Sequence, residues 1–555
     1  MEESRSAIDL GEDIWHIINS LLLQDSPSSL LALRLTSRSN KVEVDPLLYR
    51  RLELNCDGRK ITSAELNVQR LLDPCDNLSL HVRDLVMSPP KQPSFIFAQQ
   101  KKPRNGFLLG CLESVIENLH RLKSFSWNIR RPIPEAIIAK LETRWPNVIL
   151  NMYAHNHPIT DTRSLYSPLL RSLSFCIQNN AATFRVPRKL KQHSKLPELR
   201  EALLRSPNLR KLDVKFEYSF LNWYDEWSGI IASPHLLHLP LQPGDRLPPL
   251  QELVFSGPPE TYEFTLEHCQ LWQNCMDWSH LRRLDLGISC PQYFFEQLGD
   301  RLTSFTALSM GVRIGARDYG PWIRDGPLAC DSVLSIGTFL GSIPRLEELT
   351  ITSFHSCAVD FFHGIFEKHS SLRKFYYHMS MHRSVTTFAS TSRVIVLDML
   401  PFTLPELREL TIDLPLVRSR WPEEHANTVA KLFRLDTLKV FVELDSGASV
   451  FAAKYVANPH RGHDMPPFNV EPAKKVATDL FKSFFAHNPY ACLTSLEVCF
   501  LRFLCEGEQQ RYEMKCSIRI KRLERDDAPS PLDGGFVVDS GREWDYYDVR
   551  KERPV

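Results

Sequence analysis

The sequence lacks the long apolar runs and the one-sided charge that would assign it to a membrane or to nucleic acid. No apolar stretch approaches the roughly eighteen residues that a helix needs to cross a bilayer. The first residues include Glu2, Glu3 and Asp9 and no long apolar core, so we expect no secretory signal. The formal net charge is only +1, which gives no overall field to attract nucleic acid or an acidic membrane surface. We therefore expect neither a membrane nor a nucleic acid as the partner.

Paired cysteines are also missing. The chain has 13 cysteines, an odd number, and none of them forms a Cys-x-x-Cys motif. Cys269 and Cys275 are six residues apart, as are Cys499 and Cys505, which differs from the common zinc spacing. Scattered cysteines in a large chain favour reduced thiols over a disulfide framework. This pattern predicts a cytoplasmic or nuclear protein that holds no metal and no other cofactor.

Motifs for bond chemistry are scarce as well. The sequence contains no phosphate-cradling Gly-rich loop, no His-Glu-x-x-His and no Gly-x-Ser-x-Gly. His155 with His157, and His460 with His463, lack nearby thiolates, so solvated loops explain them better than a metal site does. We expect no catalytic residue, although an enzyme on an unrecognised α/β fold stays open.

Two short apolar runs are present near the N-terminus. Leu10, Ile14, Ile18 and Leu22 are spaced by four residues, which places them along one stripe of a helix. A second run, over residues 30–35, is apolar enough to be buried on two sides. Two short helices cannot enclose a core alone. The segment therefore predicts a helical module that needs a partner surface.

The same segment resembles the F-box found at the N-terminus of many fungal F-box proteins. The resemblance is carried by Leu10, Glu12, Ile14, Ile18, Leu22, Leu31, Leu33, Leu35, Ser37, Arg38, Pro46, Leu47 and Tyr49. Gly11 departs from the family's usual Pro, and Asn40 departs from its usual aromatic residue. The resemblance implies docking on a Skp-type adaptor, and through it on a cullin, by Leu10, Ile14, Ile18, Leu22, Leu31 and Leu35. The alternative is an ordinary helical subdomain that packs on the body of its own chain.

One local pattern of six positions recurs through the rest of the chain: Leu, two polar residues, an apolar residue, a polar residue and an apolar residue. Clear copies are found at 170–175, 209–214, 250–255, 281–286, 346–351, 372–377, 407–412, 435–440 and 493–498, and weaker ones at 49–54, 82–87, 122–127 and 305–310. Predicted helical stretches precede many copies, such as those at 199–204, 333–340, 359–366 and 429–433. Positions four and six are two apart, so on a strand both face the same core.

This order of elements resembles the leucine-rich-repeat class of F-box proteins. It implies an α/β fold, in which a three-helix F-box-like module precedes an irregular leucine-rich-repeat solenoid of parallel strands and outer helices. The copies are irregularly spaced and lack the family's ladder Asn, so we expect an irregular horseshoe. Another α/β fold with parallel strands stays open.

The C-terminus changes character. Apolar and polar residues alternate from Tyr512 to Lys521, which predicts a strand; Phe536–Val538 and Trp544–Val549 are further candidate strands. We predict a small antiparallel β cap that covers the open end of the array. The predicted domains are the helical module at 5–50, the repeat array at 51–505, and the β cap and tail at 506–555.

Together these features predict the non-catalytic substrate-receptor subunit of a Skp–cullin–F-box ubiquitin ligase, whose repeat array binds an unidentified target protein. Candidate target contacts are an aromatic loop with Trp223, Tyr224 and Trp227, and a basic run with Arg188 and Lys189. The alternative is a leucine-rich-repeat interaction scaffold with no ligase role.

Overall fold

Short strands alternate with helices along the chain in a computed structural model. The structure describes residues 12–25, 27–55, 63–88, 106–129, 132–154, 162–179, 196–218, 239–256, 264–287, 292–312, 329–353, 359–379, 397–414, 421, 423–444, 470–488, 492–506, 509–522 and 536–540. The chain divides into two compact units. Unit 1 comprises Met1–Trp223 and Asp245–Pro249, and unit 2 comprises Tyr224–Gly244 and Leu250–Val555.

The described strands are short, and most have four to eight residues. In unit 1 they are β1 (Arg51–Asn55), β2 (Asp84–Ser88), β3 (Ser124–Trp127), β4 (Ile149–Ala154), β5 (Leu170–Asn179) and β6 (Lys211–Tyr218). In unit 2 they are β7 (Glu252–Ser256), β8 (Arg283–Asp285), β9 (Ala307–Val312), β10 (Glu348–Ser353), β11 (Lys374–Met379), β12 (Glu409–Asp413), β13 (Thr437–Leu444), β14 (Ser495–Glu506), β15 (Gln509–Arg522) and β16 (Phe536–Ser540).

Helices precede most of these strands. In unit 1 they are α1 (Glu12–Asp25), α2 (Pro27–Thr36), α3 (Arg38–Leu48), α4 (Ser63–Leu72), α5 (Leu78–His81), α6 (Gly106–Asn118), α7 (Glu135–Arg144), α8 (Thr162–Leu165) and α9 (Leu196–Arg205). In unit 2 they are α10 (Leu266–Cys275), α11 (Gln292–Leu298), α12 (Ala329–Ser342), α13 (Val359–Lys368), α14 (397–403), α15 (Glu423–Ala430) and α16 (Val470–His487).

Neighbouring strands in the sequence are also neighbours in the sheet. In unit 1, β1 to β6 pair in that order and all pairs are parallel. In unit 2, β7 to β14 pair in order and in parallel. The expected α/β fold with parallel strands is therefore confirmed.

Position four of the repeat forms a ladder across the strands. In unit 2 the paired residues are Leu253, Leu284, Leu308, Leu349, Phe375, Leu410, Leu438 and Leu496, each opposite the next. In unit 1 the ladder runs through Leu52, Leu85, Phe125 and Leu150, and again from Leu173 to Leu212. All of these side chains are buried. Stacking like side chains at one register buries apolar surface that a single strand–helix unit would leave exposed.

Every copy of the six-residue pattern overlaps a described strand, the weaker copies included. One parallel strand, β4, was not predicted. Its inward residues, Leu150 and Met152, fit positions four and six, but position one holds Asn147 instead of an apolar residue. The pattern therefore fails at its first position, while the strand still forms because its neighbours pair with it.

The C-terminal strands reverse direction, as the alternating sequence predicts. β15 is antiparallel to β14, and β16 is antiparallel to β15. The further candidate strand at Trp544–Val549 lies outside the described residues.

Candidate functional site

The first three helices form a small module with its own core. α1, α2 and α3 pack against one another. Leu30, Val44 and Leu47 are buried at the centre, and Leu22, Leu23, Leu33 and Leu48 pack around them. These seven leucine and valine side chains form the core of the module, so its other apolar side chains are not needed to fill that core.

Polar contacts fix the turn between α2 and α3. The Ser37 hydroxyl accepts a hydrogen bond from the backbone N–H of Asn40 at 3.0 Å, which caps α3. The guanidinium of Arg34 in α2 forms an ion pair with the carboxylate of Asp45 in α3. That side-chain hydrogen bond raises the pKa of Arg34. The two helices are thus held together beside their apolar core.

Tyr49 joins this module to the rest of unit 1. Its ring centroid lies 5.6 Å from the guanidinium carbon of Arg34 and 5.1 Å from that of Arg70 in α4. Arg70 in turn bonds the Asp76 carboxylate at 2.7 Å, which lowers the pKa of Asp76. α3 also contacts α5. The module is therefore seated on unit 1 by α3 and Tyr49, which leaves the outer sides of α1 and α2 facing water.

Large apolar side chains are exposed on all three helices: Ile17 and Leu21 on α1, Leu31 and Leu35 on α2, and Val42 on α3. Their exposed fractions are 58% for Ile17, 53% for Leu21, 50% for Leu31, 80% for Leu35 and 73% for Val42. We call these five residues the apolar helical face. Exposed apolar residues scattered singly are normal, but a cluster within one small module is typical of an interaction surface.

The predicted adaptor contacts fall into three groups. Leu31 and Leu35 belong to the apolar helical face, whereas Ile18 and Leu22 are half-buried and Leu22 packs on the module's core. Ile14 lies in α1, and Leu10 is outside the described residues. Ile17 and Leu21 were missed. They too are four residues apart, on the stripe next to the one chosen from the sequence.

The predicted target contacts cannot be placed. Trp223, Tyr224 and Trp227, like Arg188 and Lys189, lie outside the described residues. On the described strands, the residues that alternate with the buried ladder lie on the opposite face of the sheet.

A buried histidine–carboxylate pair lies on that face in unit 2. His378 of β11 and Asp413 of β12 are almost fully buried, and the Nδ1 of His378 lies 2.7 Å from the Oδ1 of Asp413. The imidazole packs against the ring of Phe441, with 4.4 Å between ring centroids. A carboxylate at Nδ1 orients an imidazole as it does in general-base sites. However, the Nε2 of His378 has no hydrogen-bond partner, so the described residues supply no nucleophile there.

A second polar cluster lies two strands further on. Glu497 of β14 accepts a hydrogen bond from the Ser517 hydroxyl at 2.7 Å and lies 3.8 Å from Lys439 and 3.4 Å from Arg519. Burial alone would raise the pKa of the Glu497 carboxyl, but these cationic and hydroxyl neighbours hold it below its ordinary value. The Glu497 carboxylate is thus neutralised by cations of β13 and β15, and the cluster ties these strands together without requiring a ligand.

No described helix is both long enough and apolar enough to span a bilayer. Comparison with protein-family models finds no match for this chain, and a search of curated proteins finds no similar protein.

Proposed function

We propose that the chain is a non-catalytic substrate receptor, in which the N-terminal module is an F-box that docks on a Skp-type adaptor, and through it on a cullin. The observation that carries the proposal is the apolar helical face. Five large apolar side chains there are at least half exposed, although the module has a complete core of its own. Covering such a face with the helices of an adaptor would remove it from water.

The rest of the chain acts in this proposal as an irregular leucine-rich-repeat array that binds a target protein. Support comes from the parallel strands, which pair in sequence order, and from the position-four ladder. The contribution to ubiquitin transfer is proximity: a target lysine held near a charged enzyme reacts at a raised effective concentration. The complex would act in the cytoplasm or the nucleus.

The test is co-expression of the full chain with the Skp-type adaptor of its own organism, followed by affinity capture and size exclusion. We expect a stoichiometric complex. In the variant Leu31→Asp/Leu35→Asp, affinity should fall by about thirtyfold or more, because a charge would be buried at the centre of the interface. Since both residues are exposed in the free chain, the variant should keep its fold.

Phe402→Asp is the matched control. Phe402 lies in α14 of unit 2 and is as exposed as Leu35, at 81% against 80%. Adaptor capture should be unchanged in this variant. Equal capture of the wild type and the Leu31/Leu35 variant would overturn the docking assignment.

The second candidate is a repeat scaffold with no ligase role. It is favoured by the seating of the module on unit 1, where Tyr49 stacks on Arg70 and α3 contacts α5. A scaffold would purify without the adaptor, and none of the apolar-face variants would change its behaviour.

A further inference from the structure

The start of each parallel strand carries a column of residues at position two of the repeat. Where two column residues lie on neighbouring strands, the carbonyl oxygen of the first accepts a hydrogen bond from the backbone N–H of the second, whereas the Lys123 carbonyl accepts from Ile149. In unit 1, Arg83 donates to Arg50 at 2.8 Å, Lys123 to Arg83 at 2.7 Å, and Arg210 to Arg171 at 2.8 Å. We call this set the strand-start column. In unit 1 it consists of Arg50, Arg83, Lys123, Arg171 and Arg210, so every position-two residue of the copies there is a cation.

Arg171 and Arg210 form a pair of like charges on adjacent strands. Arg171 donates through Nη1 to the Pro168 carbonyl at 2.9 Å, and Arg210 donates through Nη1 to the Pro249 carbonyl at 3.3 Å. Neither forms an ion pair with a carboxylate among the residues that the structure describes. Burial and the positive charge of Arg210 lower the pKa of Arg171. The charge of Arg210 thus acts on Arg171, and among the described residues the two guanidiniums donate only to backbone carbonyls.

A β-bulge places Arg171 in this position. Leu150 of β4 pairs with Leu170 and Asn151 pairs with Ser172, so Arg171 is an extra residue without a partner on β4. Bulges turn a side chain away from the regular pleat and are frequent at functional sites. The buried ladder does not need the Arg171 side chain, because Leu170 and Leu173 are the buried core residues on either side of it.

The column is interrupted once. At β4 the residues beside Lys123 are apolar: Val148 is buried and Ile149 is 44% exposed. The described acid near the column is Asp84, 4.0 Å from Arg50 and hydrogen-bonded by the Ser124 hydroxyl. Among the described residues, the surface therefore presents three cations, an apolar side chain and two more cations, and one carboxylate, that of Asp84, lies within ion-pair distance of a column residue.

We propose that the strand-start column of unit 1 binds an acidic, carboxylate-rich linear segment of a partner protein. This deepens the proposed receptor function and rests on it, because it gives the chemistry of the target. The cations are spread one per strand, at about 4.8 Å per step. Such a line fits several single negative charges on an extended chain, whereas one phosphate dianion would need cations that converge on a point.

The interruption at Ile149 favours a peptide over a nucleic acid. An apolar side chain between two basic groups matches an apolar residue within an acidic segment. Single-stranded nucleic acids are instead bound by unbroken basic grooves and stacking aromatic rings. From β1 to β6 the column spans about 24 Å, which is about seven residues of extended chain.

The test is fluorescence polarisation with the full chain and a fluorescein-labelled twelve-residue peptide in which Glu alternates with Ala. A second peptide carries Gln in place of each Glu. We expect binding of the Glu peptide that weakens steeply with salt, and at least about tenfold weaker binding of the Gln peptide. In Arg171→Gln/Arg210→Gln, affinity for the Glu peptide should fall at least about tenfold.

The matched control is Arg373→Gln/Arg408→Gln, which removes two adjacent position-two arginines from unit 2. Binding should stay within about twofold of the wild type. The proposal is overturned by no binding of the Glu peptide, by equal loss in both variants, or by equal binding of the Gln peptide. It is also overturned if a single-phosphoserine peptide or a twelve-nucleotide RNA binds tenfold more tightly than the Glu peptide.

Two readouts separate this proposal from the proposed function. Circular dichroism and adaptor capture should be unchanged in Arg171→Gln/Arg210→Gln, because neither residue lies in the helical module. Peptide binding should be unchanged in Leu31→Asp/Leu35→Asp. Failure of adaptor capture with peptide binding intact refutes only the docking role, and the converse refutes only the acidic-segment site.

Discussion

The strand-start columns of the two units share a backbone and differ in charge. In unit 2 the carbonyl of Glu347 accepts from the N–H of Arg373, and that of Arg373 accepts from Arg408, both at 2.8 Å as in unit 1. Yet the unit 2 column mixes acids, cations and neutral residues: Gln251, Arg282, Thr306, Glu347, Arg373, Arg408, Asp436 and Thr494. The unit 1 column is basic in all five of its copies.

Ion pairs follow the same division in part, because Arg50 of unit 1 also lies 4.0 Å from an acid, Asp84. In unit 2, Lys374 at the start of β11 lies 3.5 Å from Glu348 and 3.1 Å from Glu409, so it bridges acids on both neighbouring strands. Arg408 lies 4.0 Å from Asp436. In unit 1, Arg171 and Arg210 bond only to backbone carbonyls among their described contacts.

The comparison separates what the fold requires from what it leaves free. Both units require apolar residues at position four and backbone hydrogen bonds at position two. The side chain at position two is unconstrained by either, so its charge can serve another purpose. In unit 2 this charge is paired at Arg408, which lies 4.0 Å from Asp436, whereas in unit 1 Arg171 and Arg210 donate only to backbone carbonyls among their described contacts.

The largest expected effect tests whether the ladder is equivalent in the two units. Phe125 of β3 and Phe375 of β11 both occupy position four and both are fully buried. Phe125→Ala and Phe375→Ala should each lower the local free energy of unfolding by about 3–5 kcal/mol, through lost burial and the cavity left behind. Hydrogen exchange at β3 and at β11 measures each unit separately. A difference above about 2 kcal/mol would show that the ladders are not equivalent.

The ladder itself was accessible from the sequence, because position four and position six are apolar in nearly every copy. Helices at 199–204, 333–340 and 359–366 were also anticipated, and lie within α9, α12 and α13. The stretch at 429–433 was extended too far, since α15 ends at Ala430. The local apolar pattern predicts a helix where the segment buries one face against its sequence neighbours. It does not predict the residue at which the helix ends.

The strand-start column is harder to predict from the sequence than the ladder. Its members become neighbours only through strand pairing, and the copies are too irregularly spaced for pairing to be counted from the chain. A signal did exist, because a cation recurs at position two of five copies in unit 1. The bulge at Arg171 left no such signal, since one extra residue does not disturb the apolar pattern.

The exposure of Ile17 instead of Ile18 depends on how α1 rotates against α2 and α3.

A fall in pH should lower the stability of unit 2 more than that of unit 1. His369 and His425 of unit 2 are buried, and burial lowers the pKa of each imidazole below its ordinary value of 6.5. His81 of unit 1 has a pKa lowered by the same cause but is only half-buried. The folded form binds a proton less readily than the unfolded form, so the unfolded state gains protons first as the pH falls. Stability is therefore complete above about pH 6.5 and declines below it.

Urea unfolding between pH 7.5 and 5.5, monitored by hydrogen exchange, measures this difference in stability. We expect the protection of β11 and β13 to decline with acid more than that of β3, by about 1 kcal/mol or more. His369→Gln/His425→Gln should flatten the pH dependence of unit 2 while leaving unit 1 unchanged. A steeper acid response in unit 1 would contradict the assignment.

The smallest effect is also the sharpest test of the comparison, because its sign should differ between units. Arg408→Gln removes an exposed cation 4.0 Å from Asp436 and should destabilise unit 2 by at most about 0.5 kcal/mol. Arg210→Gln removes one of two mutually repelling guanidiniums, so unit 1 should be unchanged or slightly more stable. Added salt should shrink both differences, since screening weakens attraction and repulsion alike. Hydrogen exchange of β6 and β12 in low and high salt measures both. If Arg210→Gln destabilises unit 1 and high salt does not remove the effect, Arg210 holds the strands together through its carbonyl contacts. The cations of unit 1 would then serve the structure and not a ligand.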